Sequence, residues 1–74
     1  MNYLDIIFEY LTVYENLEFY ARIKGIKEDF IDMLVKAMIK EMSLDEFTNK
    51  IAGGLSGGNK RKLAVVISML FHPL

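Results

Sequence analysis

Apolar residues recur at helical spacing in three stretches of the chain, separated by glycines or polar breaks. In the first, Val13, Leu17, Tyr20 and Ala21 fall on one face of a 3.6-residue period. Thr12-Val13-Tyr14-Glu15 ahead of them has capping-box spacing, with the Thr12 hydroxyl taking an orphan amide and Glu15 reaching back. Gly25 stands where that helix ends. Ile6-Ile7-Phe8 reads as a short turn packed beneath it. The second stretch runs from about Glu28 to Met42, with Phe30 or Ile31, Leu34, Val35, Met38 and Met42 as its apolar stripe. Glu28, Asp29 and Asp32 in its first turns suit the positive end of the helix dipole. Met33, Met38 and Met42 read as flexible core filler. Leu44 to Ile51 adds a short turn with Phe47 packed inward. The third helix starts near Ser56 and runs to about Phe71, with Leu63, Val66, Ile67 and Leu70 on its buried face and Pro73 blocking continuation. No strand is read, although the last stretch contains β-branched residues. The expected architecture is all-α.

Composition changes the picture in one respect. A chain of 74 residues allows one small domain, and at that size a core rarely supplies more than ~3–5 kcal/mol of net stability. There are no cysteines, and His72 is the single histidine, so neither a disulfide framework nor a metal site of the usual ligands is expected. Yet 53% of the residues are hydrophobic, a generous share for so little interior, which implies apolar surface intended for a neighbour. The longest apolar stretch, Leu63 to Phe71, falls far short of the ~20 residues that cross a bilayer. The N-terminus lacks the pattern of a secretory signal. Any membrane connection is expected through another polypeptide or further sequence.

Charge is segregated. Residues 1–49 carry all ten acidic side chains and five basic ones, and residues 50–74 carry Lys50, Lys60, Arg61 and Lys62 with no acid. A net charge of −1 thus hides an acidic two thirds and a basic third, which points to an anionic partner for the latter.

The chemistry concentrates in Ile51-Ala52-Gly53-Gly54-Leu55-Ser56-Gly57-Gly58-Asn59-Lys60-Arg61-Lys62-Leu63. Its glycines, at 53, 54, 57 and 58, allow close approach of another object and unusual backbone angles. They precede a periodic helix whose first amides lack internal acceptors and so form a ready anion site, with the Ser56 hydroxyl at the cap. The three consecutive cations oppose the helix dipole, at ~0.3–1 kcal/mol per exposed charge. An anion at the helix tip, phosphate above all, or an acidic partner would offset that. From glycine count and charge alone, a flexible turn ending in a solvated basic helix accounts for the segment equally well. The loop is neither a phosphate-binding Walker A sequence nor a dinucleotide fingerprint, so it can contact a phosphate without holding a nucleotide by itself.

Leu55-Ser56-Gly57-Gly58 closely resembles the signature motif of ATP-binding cassette (ABC) ATPases. The longer run Ser56 to Leu63, with Asn59 in place of the glutamine of many subfamilies, is similar to the A subfamily of ABC transporters. Asp5 to Leu17 and Phe19-Tyr20-Ala21-Arg22 look like that subfamily too, with matching separation, so the resemblance covers nearly the whole chain. It implies that residues 1–74 are part of an ABC nucleotide-binding domain: the helical subdomain of a P-loop α/β fold whose sheet is missing from this fragment. It implies ATP shared with the Walker A of a second nucleotide-binding domain and capped by Leu55, Ser56, Gly57, Gly58 and Asn59. In that arrangement Ser56 would donate to the γ-phosphate, the Gly57 and Gly58 amides would line the same oxygens, and Asn59 would contact the ribose or phosphate region. Residues 5–24 would lie near the coupling helices of a transmembrane domain. The family pattern also departs here. Walker A belongs upstream, and Walker B, the catalytic glutamate and the switch histidine belong beyond Leu74. The Q-loop glutamine is expected near Tyr3, and His72 reads as a loop residue. No catalytic or metal-ligating residue is therefore assigned, Mg2+ is expected only in a complete domain, and the fragment alone is not expected to hydrolyse ATP. The implied setting is the cytoplasmic face of a membrane within a lipid-type exporter, with the fragment soluble if made alone. A reading of another class remains: a stand-alone helical module using its basic helix on phosphate or nucleic acid. Nucleic acid is the less favoured ligand, because that helix has no row of base-reading side chains and the remaining surface is acidic.

Overall fold

The computed structural model describes residues 2–72, the Tyr3 side chain excepted. Three α-helices form: α1 (Val13–Lys24), α2 (Glu28–Glu41) and α3 (Gly57–Phe71), with single 3-10 turns at Tyr3–Ile6, Asp45–Phe47 and Ala52–Gly54. Among the described residues there is no strand ladder, only an isolated antiparallel bridge between Thr12 and Ile51. The fold is all-α. Pro73, expected to stop α3, lies outside the described residues.

α1 begins as its capping box dictates. Thr12 Oγ1 accepts from the Glu15 amide at 3.0 Å, and the Glu15 carboxylate accepts from the Thr12 amide at 2.9 Å. It ends at Gly25, whose φ of +93° is open to a residue without Cβ. The loop-back there, Ile26 N–H to the Ala21 carbonyl, is repeated at α2, where the Leu44 N–H reaches the Ile39 carbonyl. Ser43 takes the left-handed position at α2 with φ +57°, a conformation that costs a side-chain-bearing residue ~1–2 kcal/mol. The buried pair Ile39 and Leu44 flanks that turn and supplies the apolar contact such a cap favours.

The core lies between the three helices. Val13, Leu17 and Ala21 face it from α1, Ile31, Val35 and Ile39 from α2, and Leu63, Ala64 and Ile67 from α3, with Ile7, Met42, Leu44, Ala52 and Leu55 closing it from the connections. At the α2 start, Ile31 is inside and Phe30 is half exposed. Met33 is not core filler: it is 65% exposed, because the α2 turn that buries Ile31 and Val35 carries residue 33 to the outer side. Val66, Leu70, Tyr20, Leu34, Met38 and Phe47 are half buried at the margin. Ile7 is buried in the core cluster as the short-turn reading expects, while Phe8 is partly exposed and rests on the Phe19 and Tyr20 rings.

A polar clasp joins α1 to α2. The Tyr14 hydroxyl donates to Asp32 at 2.6 Å, and Lys36 holds the same carboxylate at 3.0 Å. Arg22 donates to both Glu28 oxygens at 2.8 and 2.9 Å and to Glu18 at 3.2 Å. The Glu28 carboxyl is held below its ordinary range, first by that hydrogen bonding.

Candidate phosphate-binding site

The glycine-rich segment divides into two halves with different jobs. A Cβ on Gly53 would lie 3.0 Å from the Glu9 carbonyl oxygen and 3.3 Å from the Glu9 Cβ. Gly53 is glycine because another part of the same chain passes there. Gly54 would meet only the flexible end of Lys50. At Gly57 and Gly58 nothing lies within 4 Å of an added Cβ, and neither has a positive φ. Unusual backbone angles, one of the two reasons the sequence offers for these glycines, therefore do not operate in the loop. The fold itself makes no demand for glycine at the first two positions of α3, where glycine lowers helix stability.

Ser56 is the N-cap. Its Oγ accepts from the Asn59 amide at 3.1 Å, and the first helical bond runs from the Lys60 amide to the Ser56 carbonyl at 2.9 Å. The third amide of α3 is thus satisfied within the chain. The Gly57 and Gly58 amides, first and second in the helix, have no acceptor inside it by position. The hydroxyl uses a lone pair on Asn59 and keeps its proton to donate. Three donors and a bare backbone therefore meet at one exposed tip, at the positive end of a fifteen-residue helix. Leu55 turns the other way: it is buried and anchors the loop in the core. Asn59 is half buried, and Ser56, Gly57 and Gly58 are exposed. The loop residues Leu55 to Asn59 include no carboxylate, so the tip suits an anion and supplies no charged ligand to a divalent cation.

The basic cluster is not a uniform patch. Lys60 closes the first turn of α3, Arg61 and Lys62 open the second, and Lys60 is bound to Glu9 at 3.1 Å. Arg61 and Lys62 are exposed and make no ion pair among the described residues. Two cations, rather than three, remain for an external anion.

What holds the loop in place was not visible in the sequence. Residues 9–14 and 48–53 run side by side and exchange backbone hydrogen bonds: Ala52 N–H to Leu11 O at 2.8 Å, Gly53 N–H to Glu9 O at 2.9 Å, Val13 N–H to Lys50 O and Tyr14 N–H to Thr48 O at 3.0 Å. Asn16, fully buried, fixes the 8–12 turn from below. Its Oδ1 accepts from the Phe8 amide at 2.8 Å, and its Nδ2 donates to the Phe8 and Thr12 carbonyls at 3.0 Å. An asparagine three residues into a helix carries no such signal. Phe8, Phe19, Tyr20 and Phe71 form a chain of ring contacts on the same side, with centroids 4.9 to 6.0 Å apart. Phe8 and Phe19 are each 41% exposed, so the apolar surplus in the composition emerges in part at this turn. His72 caps α3 and is exposed. Among the described residues no helix is long and apolar enough to cross a membrane.

No protein-family model matches the chain, and no solved structure matches it. Among curated proteins it is 45% identical over 69 residues to ABC transporter A family member 5 of Dictyostelium discoideum, a match covering 93% of this chain and 4% of the relative. It is 44% identical over 66 residues to the human ATP-binding cassette sub-family A member 10, covering 89% of this chain and 4% of the relative. To the rat phospholipid-transporting ATPase ABCA3 it is 38% identical over 69 residues, again 93% and 4%. The chain therefore spans about one twenty-fifth of the length of these relatives. Nearly all of its residues thus align with a short segment of A-family ABC transporters, and the chain is homologous to that segment.

Proposed function

We propose that this chain is the helical, signature-bearing part of an ABC nucleotide-binding domain, and that its loop caps the γ-phosphate of an ATP held by the Walker A of a partner domain. The observation that carries the reading is the pair Gly57 and Gly58: open where a side chain would stand, bare at the amide, and not required by the fold. Glycine there lets the backbone of α3 come against a phosphate. Ser56 and the two amides donate to oxygens whose negative charge the helix dipole and Arg61 and Lys62 favour. Leu55 holds the loop from within, and Asn59 stands one residue further along for the ribose or phosphate region. Mg2+ belongs to the partner's half of such a site, since this loop supplies no carboxylate. The transmembrane domain and a second nucleotide-binding domain are the partners, the membrane's cytoplasmic face the location, and lipid export the process. The name of the rat relative supports that last choice.

Ser56→Asp tests this. Aspartate caps a helix as well as serine, so the fold is retained, while its charge faces the phosphate. In a transporter carrying this segment, Ser56→Asp is expected to abolish ATP hydrolysis with ATP loading at Walker A unchanged. Equal loss of loading would overturn capping in trans. A polyanion-binding module would instead show salt-dependent binding by the isolated chain that falls with Arg61 and Lys62 and ignores Ser56.

A further inference from the structure

Glu9 touches the glycine-rich segment twice. Its carbonyl accepts from the Gly53 amide at 2.9 Å and would crowd a Cβ at that position at 3.0 Å, and its carboxylate binds Lys60 at 3.1 Å, one turn into α3. The phosphate-facing tip, Ser56 to Gly58, lies between those two points in sequence. Glu9 itself is fixed, since the turn that carries it is bonded to the buried Asn16 through Phe8 and Thr12. Lys60 is three quarters covered, whereas Glu9 is 62% exposed. A surface ion pair of this kind contributes little to overall stability. What it does is join a turn 44 to 51 residues away in sequence to both flanks of one loop.

We propose that Glu9 is a positioning residue for the signature loop: the Gly53 and Lys60 contacts together set the pose of the Ser56-Gly57-Gly58 tip. The proposal rests on the capping role above for its functional meaning but not for its structural claim. Motion of the Phe8–Leu11 turn would then reach the phosphate site directly through Glu9, without passing through α1 or the core.

Charge reversal separates positioning from plain electrostatics. Glu9→Lys adds positive charge near the tip and Lys60→Glu adds negative charge, so a purely electrostatic role makes their effects on anion binding opposite in sign. Positioning makes both harmful, and the exchanged pair Glu9→Lys with Lys60→Glu restores the pose. The readout is amide NMR of the full chain, first without ligand and then titrated with tripolyphosphate, with helical circular dichroism confirming that each variant is folded. Without ligand, both single variants are expected to shift and mobilise the Gly57, Gly58 and Asn59 amides, and the exchange to restore them. With tripolyphosphate, both are expected to weaken binding about threefold, the fold-change an exposed ion pair supports. Unchanged tip amides in both ligand-free single variants, or failure of the exchange to restore them, would overturn the proposal. If the unmodified chain shows no response to tripolyphosphate, the phosphate reading fails, while the ligand-free spectra still decide the role of Glu9.

Discussion

At the scale of single residues, glycine means different things at positions five residues apart. Gly53 is packed against the Glu9 backbone, so Gly53→Ala must push two chain segments apart, at a cost of about 1–3 kcal/mol for overpacking. Gly58→Ala meets nothing, relieves the entropy of a helical glycine, and is expected to raise stability by about 0.4–1 kcal/mol. Urea denaturation of the two variants should therefore move the midpoint in opposite directions. If Gly58→Ala also destabilises, the glycine serves the fold, and the reason for assigning it to an external phosphate disappears. Local motif spacing exposes both glycines equally; only the neighbour of Gly53 distinguishes them.

Between elements, α1 and α2 are clasped by groups whose titration is coupled. The Tyr14 hydroxyl is pushed up to about 12, first by its hydrogen bond to Asp32, then by burial and by the Asp32 charge. The Asp32 carboxyl is pulled below its ordinary value, first by Tyr14 and then by Lys36. A depressed acid contributes stability above its ordinary value of 3.8 and loses it as pH falls through the lowered one. A raised phenol contributes below its ordinary 10.0 and loses it as pH rises through about 12. The clasp is thus at full strength from about pH 4 to pH 10 and weakens on either side. Asp32→Asn should return Tyr14 toward 10.0 in an NMR-monitored titration; a Tyr14 value still near 12 would mean that the carboxylate is not what holds it. The same helices show how far periodicity reaches. The Thr12–Glu15 capping box and Gly25 terminator are local chemistry and are read directly. Ser43 does the work of a terminal glycine only because Ile39 and Leu44 are pinned in the core, a circumstance that residues 41–44 do not announce.

For the whole molecule, the decisive feature is the pairing of residues 9–14 with residues 48–53, which no helical pattern contains. Asn16 is its foundation, fully buried and bonded at both ends of its amide. Asn16→Leu leaves the Phe8 amide without its acceptor, while the Phe8 and Thr12 carbonyls lose one of two donors and keep the backbone amides of residues 11 and 16; an orphaned buried group costs about 1–3 kcal/mol. Against the ~3–5 kcal/mol a core of this size supplies, that loss should clearly lower the melting midpoint followed by helical circular dichroism. A near-native melting curve would show that water satisfies the turn and that Asn16 is dispensable. The same pairing accounts for the fate of the basic cluster. Lys60 reads as a solvated cation in sequence, and it is the long-range approach of Glu9 that removes it from the surface charge.

By itself the sequence determined what depends on neighbours within a turn or two of helix: three helices, the Thr12 cap, the Gly25 stop, the Ser56 cap ahead of α3, and the loop Leu55 to Asn59 as the chemically distinctive segment. Those follow from side-chain periodicity and from backbone donors that lack partners at helix ends, both of which are local. Tertiary structure decided which apolar residues the small core could enclose, placing Ile31 inside and Met33 outside. It decided that Gly53 and Lys60 serve the fold while Gly57 and Gly58 remain open. It also brought Glu9 to both flanks of the loop across gaps of more than forty residues. Hydrogen bonds and close contacts between distant segments depend on where the chain returns, and that is set only when the three helices pack together.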